Sequence, residues 1–194
     1  TTLHYMKNDD PISKGEMMLM DFGVRWMTMH ADITRSFPVS GKFNPMQKML
    51  YEIVLKGQRE VEKAAQAGVT IDELNNVCWA VINDGLEKKF VAAGGKYELR
   101  YKDRPHGVSH LMGEQEHDGD PFRNYLKQPM MPGWMISNEP GLYGEFKIRL
   151  EGKTYDETIG IRIEDNLVMT QKGCMNLSNI IPKSVRAIEK LMKG

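Results

Sequence analysis

Three acidic residues stand where buried strands should be apolar. Residues 16–24 read Glu-Met-Met-Leu-Met-Asp-Phe-Gly-Val, an apolar run of strand length that Asp21 interrupts. Residues 134–139, Trp-Met-Ile-Ser-Asn-Glu, end on Glu139 just before Pro140 and Gly141, and within residues 160–170 Glu164 follows Ile161 and Ile163. A lone acid at a strand end is ordinarily a solvated edge residue. Several on strands that read as buried are harder to dismiss, because an isolated buried carboxylate is costly unless it is protonated, paired or bound to metal. Side chains alternate along a strand, so Arg162 and Glu164 share one face and Ile161 and Ile163 the other. If such acids converge, a cation must cancel their repulsion. A hard, oxygen-rich set with an imidazole suits Mn²⁺, Co²⁺, Fe²⁺ or Zn²⁺ in a carboxylate-bridged pair better than a lone structural zinc.

Histidines add to this pattern. Residues 105–118, Pro-His-Gly-Val-Ser-His-Leu-Met-Gly-Glu-Gln-Glu-His-Asp, carry His106, His110 and His117. A lone histidine is more often structural than a ligand, but three so close together, beside Gly107 and Gly113, point to a site. Their spacing matches neither His-Glu-x-x-His nor a zinc finger.

The surrounding elements follow from patterning. Residues 32–39 form a second strand, stopped by Pro38 and Gly41 and paired antiparallel with the first. Asn44, Pro45 and Gln47 mark a helix start, and Gly68 its end; Thr70 and Glu73 open a second helix that carries Cys78 on its apolar face. Residues 92–107 read as a loop, 142–159 as a polar hairpin or long loop, 160–170 as one strand, and 184–192, after Pro182, as a last helix. The order β-β-α-α-β-β-α is an α+β arrangement over residues 1–194. Twenty-six basic and 26 acidic residues cancel, which argues against a nucleic-acid partner. Two cysteines exclude a disulfide framework or Cys-rich zinc site, and no apolar run approaches the roughly 18 residues of a membrane span, so a cytoplasmic protein is expected. The chain opens on Thr-Thr-Leu-His, without an initiator Met or signal peptide, and is expected to be part of a longer polypeptide.

Taken together, five stretches resemble the pita-bread metallopeptidases, and among them the Xaa-Pro aminopeptidase (aminopeptidase P) and prolidase group. They are Leu-His-Tyr at 3–5; Met-Asp-Phe-Gly through Ala-Asp-Ile-Thr-Arg-Ser-Phe-Pro-Val-Ser-Gly-Lys-Phe at 20–43; His-Gly-Val-Ser-His with a later His-Asp at 106–118; Asn-Glu-Pro-Gly-Leu-Tyr at 138–143; and Gly-Ile-Arg-Ile-Glu-Asp-Asn at 160–166. The two aspartates, 21 and 32, lie eleven positions apart, and His110 and His117 lie seven apart. The resemblance implies a pita-bread (creatinase/aminopeptidase-like) fold truncated at its N-terminal side, so that residues 1–194 are one catalytic-domain portion lacking its start. It implies five metal ligands: Asp21, the bridging Asp32, His110, Glu139 and the bridging Glu164. They would hold two divalent ions, Mn²⁺ first, with Co²⁺, Zn²⁺ or Fe²⁺ as alternatives. His4, His106 and His117 match the family's supporting histidines, and Arg162 its carboxylate-orienting arginine.

The implied activity is hydrolysis of the bond between a first residue and a following proline at peptide N-termini. The two ions would activate a water, Glu139 would take its proton, and His117 and His4 would hydrogen-bond the substrate. The expected partners are a peptide with proline second, the missing N-terminal portion of the same protein, and a second copy of the chain; nucleic acid and membrane are not expected. Two departures stand out. Thr28, Met29 and His30 occupy a turn where relatives often carry Tyr, and Glu114, Gln115 and Glu116 replace apolar residues before the His-Asp pair. The alternatives are a methionine aminopeptidase-like hydrolase and a non-catalytic pita-bread binding module.

Overall fold

A computed structural model describes residues 2–101 and 104–194; Lys102 and Asp103, in the 92–107 loop, and Thr1 lie outside the described residues. Strands β1 (Met17–Phe22) and β4 (Ile33–Pro38) pair antiparallel, with Asp21 opposite Thr34. The chain between them folds into a tight hairpin of β2 (Arg25–Trp26) and β3 (Met29–His30). The expected strand over 16–24 therefore stops at Phe22. Gly23 permits the stop: a Cβ there would lie 1.7 Å from the Ala31 carbonyl oxygen. β1 is also less buried than its apolar sequence predicts. Met20, Asp21 and Phe22 are exposed, and Val24, Trp26 and Met27 stand 66%, 76% and 80% exposed. Among the described residues β4 is the one strand that pairs with β1, so nothing covers this tip.

Helix α1 (Pro45–Ala64) starts as the sequence predicts. The Asn44 side chain accepts from Gln47 N–H at 2.9 Å, and the Gln47 side chain accepts from Asn44 N–H at 3.1 Å. It ends at Ala64, short of Gly68, whose N–H goes instead to the Met130 carbonyl at 2.8 Å. Helix α2 (Ile71–Gly85) opens with the Thr70–Glu73 capping box and runs on into a π-helical turn, Leu86–Val91. Helix α1 packs on β8 and β9 and α2 packs on α1, so that Leu50, Ile53, Val54, Leu74 and Ile82 share one buried core with Phe146, Ile148, Ile159 and Ile161 of the sheet. Cys78 belongs to this core, and burial pushes its thiol up to about 12.

The segment expected to be a loop contains a short strand, β5 (Lys96–Leu99). Strands β6 (Leu111–Met112) and β7 (Met135–Asn138) follow on either side of a 3₁₀ turn at Asn124–Lys127. Residues 142–159 resolve as the hairpin of the two readings: β8 (Gly141–Leu150) and β9 (Lys153–Arg162) pair along their whole length. Glu151 and Gly152, both at positive φ, make its two-residue turn. The single strand expected over 160–170 is two. β9 ends at Arg162 and β10 (Asp165–Met169) begins at Asp165. β9 lies in the sheet β5-β8-β9, whereas β10 lies in the sheet β11-β10-β7-β6, with β11 at Cys174–Asn176. Glu164 sits where the chain crosses from one sheet to the other, its N–H donating to the Thr34 carbonyl at 3.0 Å. Helix α3 (Val185–Leu191), capped by Ser184, closes the chain. The architecture is α+β, as the element order predicts, and among the described residues no helix is long and apolar enough to cross a membrane.

Candidate metal centre

The crossover at Glu164 faces four other elements, each of which brings an acid or an imidazole. Asp21 comes from β1, Asp32 from the residue before β4, His110 from the residue before β6, and Glu139 from the residue after β7. Ligand atoms fall into three overlapping groups: Asp32, His110 and His117; His110, Glu139 and Glu164; and Asp21, Asp32 and Glu164. Within each group the atoms lie within 4.8 Å of one another. His110 Nε2 is 3.3 Å from Glu139 Oε1 and 3.6 Å from Asp32 Oδ2. Its Nδ1 is 3.1 Å from the Leu111 carbonyl, which can only accept, so Nδ1 carries a proton and Nε2 is the nitrogen left to face the acids.

The electrostatics of the group call for positive charge. Burial pushes the Glu164 carboxyl well above the ordinary range, and the charges of Glu139 and Asp32 add to it. Burial likewise raises Glu139 to about 7, against the pull of His110 and Arg162. Burial disfavours charge on Asp32 and His110 too and is the largest single effect on each, but the attraction between the two, with Glu139 and the Leu111 carbonyl adding to it at His110, together outweighs it, lowering the aspartate and raising the histidine. Glu164 Oε2 accepts from Thr34 Oγ1 at 2.7 Å, while Oε1 is buried with no hydrogen-bond partner. An orphaned carboxylate oxygen beside an imidazole nitrogen and further carboxylates is a donor set that fits divalent ions.

Arg162, 3% exposed, organises one flank. Its guanidinium donates to Asp21 Oδ2, to Thr34 Oγ1 at 3.1 Å and to the Tyr143 hydroxyl at 3.0 Å. The Tyr143 hydroxyl lies 3.2 Å from His106 Nε2, and His106 Nδ1 donates to the Gly107 carbonyl at 2.8 Å. The hydroxyl therefore donates to Nε2, and a continuous chain runs from Asp21 to His106. Burial holds His106 down at about 4, so it is neutral at pH 7. His117 packs its ring 4.3 Å from that of His110, edge to face, on the exposed side of the group. Glu114, Gln115 and Glu116 are exposed on the same loop.

Of the residues singled out from sequence, Asp21, Asp32, His110, His117, Glu139 and Glu164 thus come together, with Arg162 and His106 beside them. His4 does not join the ligand groups; it is exposed, although the carbonyl of its neighbour Leu3 accepts from Arg162 at 3.4 Å. Asp21 is not the buried strand acid that its surroundings predict: its side chain is 31% exposed. Sequence reasoning missed Thr34, which bridges Glu164 and Arg162, Tyr143, and Ser137, whose hydroxyl accepts from His110 N–H at 2.9 Å and lies 3.2 Å from Glu139 Oε1. Thr34 had a signal, since it stands two positions after Asp32 on the same strand face.

Residues 1–171 match the model of metallopeptidase family M24. The chain belongs to this family. Over 194 residues it is 32% identical to the mitochondrial intermediate cleaving peptidase 55 of Arabidopsis thaliana, covering all of this chain and 38% of that protein. It is 33% identical to the Xaa-Pro aminopeptidase of Haemophilus influenzae, covering 98% of this chain and 45% of that one. The structure of zinc-substituted Escherichia coli aminopeptidase P in complex with product superposes with a TM-score of 0.82 at 30% identity, over 98% of this chain and 44% of that chain. The fold of this M24 chain is thus the part of the pita-bread architecture that aminopeptidase P shares with it. It spans less than half the length of these relatives. One of them is named as mitochondrial, so the likeness does not carry the expected cytoplasmic location.

Proposed function

We propose that residues 1–194 are the catalytic-domain portion of a metal-dependent exopeptidase that hydrolyses the Xaa-Pro bond at peptide N-termini. The observation that carries this reading is the convergence of four carboxylates and an imidazole in overlapping groups, with Glu164 Oε1 buried and unbonded. Asp21, Asp32, His110, Glu139 and Glu164 would hold two divalent ions, Mn²⁺ first, with Asp32 and Glu164 shared between them. Bound there, such ions supply Lewis acidity and lower the pKa of a water. Glu139 is suited to accept that water's proton and pass it to the leaving nitrogen, because its carboxylate sits in the ligand group, 3.3 Å from His110 Nε2. Arg162 keeps Asp21 aimed at the group through the guanidinium contact, and Tyr143 and His106 keep Arg162 in place. His117, on the open side, is suited to donate to a substrate carbonyl as charge develops on it; His4 is assigned the same role with the rest of the polypeptide in place.

Preference for proline rests on the likeness to Xaa-Pro aminopeptidases and on proline itself, whose imide nitrogen lacks a hydrogen and whose ring fixes φ. The activity is expected of the longer polypeptide, given that relatives are more than twice this length. With Mn²⁺ present, that polypeptide should cleave Xaa-Pro-Yaa or Xaa-Pro and leave Met-Ala-Yaa largely intact. Preference for Met-Ala-Yaa would move it to methionine aminopeptidase chemistry. Cleavage of none, with ions bound, would make it a binding module.

A further inference from the structure

Asp32 and Glu164 each stand just before a strand, and the two strands belong to different sheets. β4, which Asp32 precedes, pairs only with β1 among the described residues, and β10, which Glu164 precedes, pairs with β7 and β11. No strand ladder therefore sets one carboxylate relative to the other. Asn166, the second residue of β10 and 4% exposed, stands in for that ladder. Its Nδ2 donates to the Asp32 carbonyl at 2.6 Å, and its Oδ1 accepts from the Asp32 N–H at 3.2 Å. A carboxamide carries the same donor and acceptor as a peptide unit, so one side chain makes to a single residue the two bonds that an adjacent strand would make. The amide's orientation is set by its partners, since the Asp32 carbonyl cannot donate.

Asn166 is itself firmly held. It lies opposite Ser137 in the β7–β10 ladder, its N–H donates to Ser178 Oγ at 3.0 Å, and its carbonyl accepts from Leu177 N–H at 2.9 Å. It follows Glu164 by two residues. Thr34 ties β4 to Glu164 by accepting its N–H at 3.0 Å and donating Oγ1 to Oε2 at 2.7 Å, and Arg35, on the opposite face of β4, adds to this by donating to both the Thr34 and Glu164 carbonyls. Those contacts leave Asp32 itself to Asn166.

We propose that Asn166 is a positioning residue of the centre: its carboxamide acts as a one-residue β-bridge that keeps Asp32 in register with Glu164 across the gap between sheets. The proposal rests on the metal-centre reading above. Two carboxylates can be shared between two ions only if both backbones are fixed, and partners that orient metal ligands are commonly worth 10- to 100-fold in affinity.

The test uses the full-length polypeptide, stripped of metal and titrated with Mn²⁺ by calorimetry, with electron paramagnetic resonance on the loaded protein. Two Mn²⁺ ions sharing carboxylates give an exchange-coupled spectrum, which loss of stability alone does not remove at saturating Mn²⁺. Asn166→Ala should bind Mn²⁺ about 10- to 100-fold more weakly and give the spectrum of uncoupled ions. Equal affinity and an unchanged coupled spectrum would overturn the positioning role while leaving the metal centre intact. An unsubstituted protein that binds no Mn²⁺ would overturn the metal-centre reading and this proposal with it. Should Asn166→Ala fail to fold by far-ultraviolet circular dichroism, Asn166→Asp is read instead. It keeps the acceptor for Asp32 N–H and replaces the donor with a charged oxygen facing the Asp32 carbonyl, so the bridge is broken at that end; loss of coupling supports the proposal while retained coupling overturns it. If neither variant folds, Asn166 serves the fold and the positioning role is overturned.

Discussion

Thr34→Val separates the hydroxyl of Thr34 from its shape. Thr34 is fully buried, and its Oγ1 stands between a buried carboxyl and a guanidinium, donating to Glu164 Oε2 at 2.7 Å and accepting from Arg162 Nε at 3.1 Å. Valine fills the same volume and makes neither bond. Arg162 would keep Asp21 and Tyr143, but the Glu164 side chain would be left without a hydrogen bond among the described residues. Bonds to charged groups contribute about 1.5–3 kcal/mol each, and stranding a buried partner costs a similar amount, so the metal-free protein should lose about 3 kcal/mol. Thr34→Ser keeps the hydroxyl and deletes one buried methyl, at about 1 kcal/mol. For a chain of this size each kcal/mol moves Tm by about 2–4 °C, so valine should lower it by about 6–12 °C and serine by about 2–4 °C. Urea unfolding in the presence of chelator, followed by tryptophan fluorescence, reads the difference. A valine variant at least as stable as the serine variant would refute the bridging role of the hydroxyl.

Three other outcomes follow from the same geometry. The raised Glu164 carboxyl makes the folded metal-free protein bind more protons than the unfolded chain, so its contribution to stability is present below about pH 4.5 and is lost as pH rises. Metal-free Glu164→Gln should therefore match the parent near pH 4 and exceed it at pH 7.5, and Mn²⁺ should reverse that order; equal urea midpoints throughout would count against the buried charge. Gly23→Ala would drive a Cβ into the Ala31 carbonyl at 1.7 Å, opening the turn that sets Asp21 against Asp32, and Mn²⁺ affinity measured by titration should fall at least tenfold. Asp165 is fully buried and accepts from Arg35 at 2.7 Å, Gln58 at 2.8 Å, Asn176 at 2.9 Å and Lys183 at 2.5 Å. Asp165→Ala takes the buried carboxylate from Arg35 and leaves Lys183 with Glu62 at 3.1 Å, and should cost about 3–5 kcal/mol in urea unfolding.

The helices were the most legible part of the chain, because their starts are local chemistry: Asn44 with Gln47 and Thr70 with Glu73 satisfy their own N–H groups whatever the rest does. The β8–β9 hairpin was legible in principle. Glu145, Lys147 and Arg149 alternate with Phe146, Ile148 and Leu150, and Glu151-Gly152 suits the turn, but the many charges masked the period. The break between β9 and β10 was not legible. Gly-Ile-Arg-Ile-Glu-Asp-Asn is good strand sequence throughout, and only the partners on either side decide that its halves belong to different sheets. The acids of the centre stood out because carboxylates are expensive in apolar strands, although for Asp21 the premise of burial fails. Among the neutral partners only Thr34 had a signal, its place two positions after Asp32; Ser137 and Asn166 had none, since a buried hydroxyl or amide reads as an ordinary strand residue until its bonds across as many as 134 positions of sequence are seen.

Metal stoichiometry tests the central claim most directly. The full-length polypeptide and its Glu164→Ala variant, both stripped with chelator, would be dialysed against Mn²⁺ and analysed for bound metal by plasma mass spectrometry. Two ions per chain in the parent, and one or none in the variant, is the expected result, because Glu164 joins both the His110–Glu139 group and the Asp21–Asp32 group. A parent that retains no Mn²⁺, or a variant that still retains two, would contradict it.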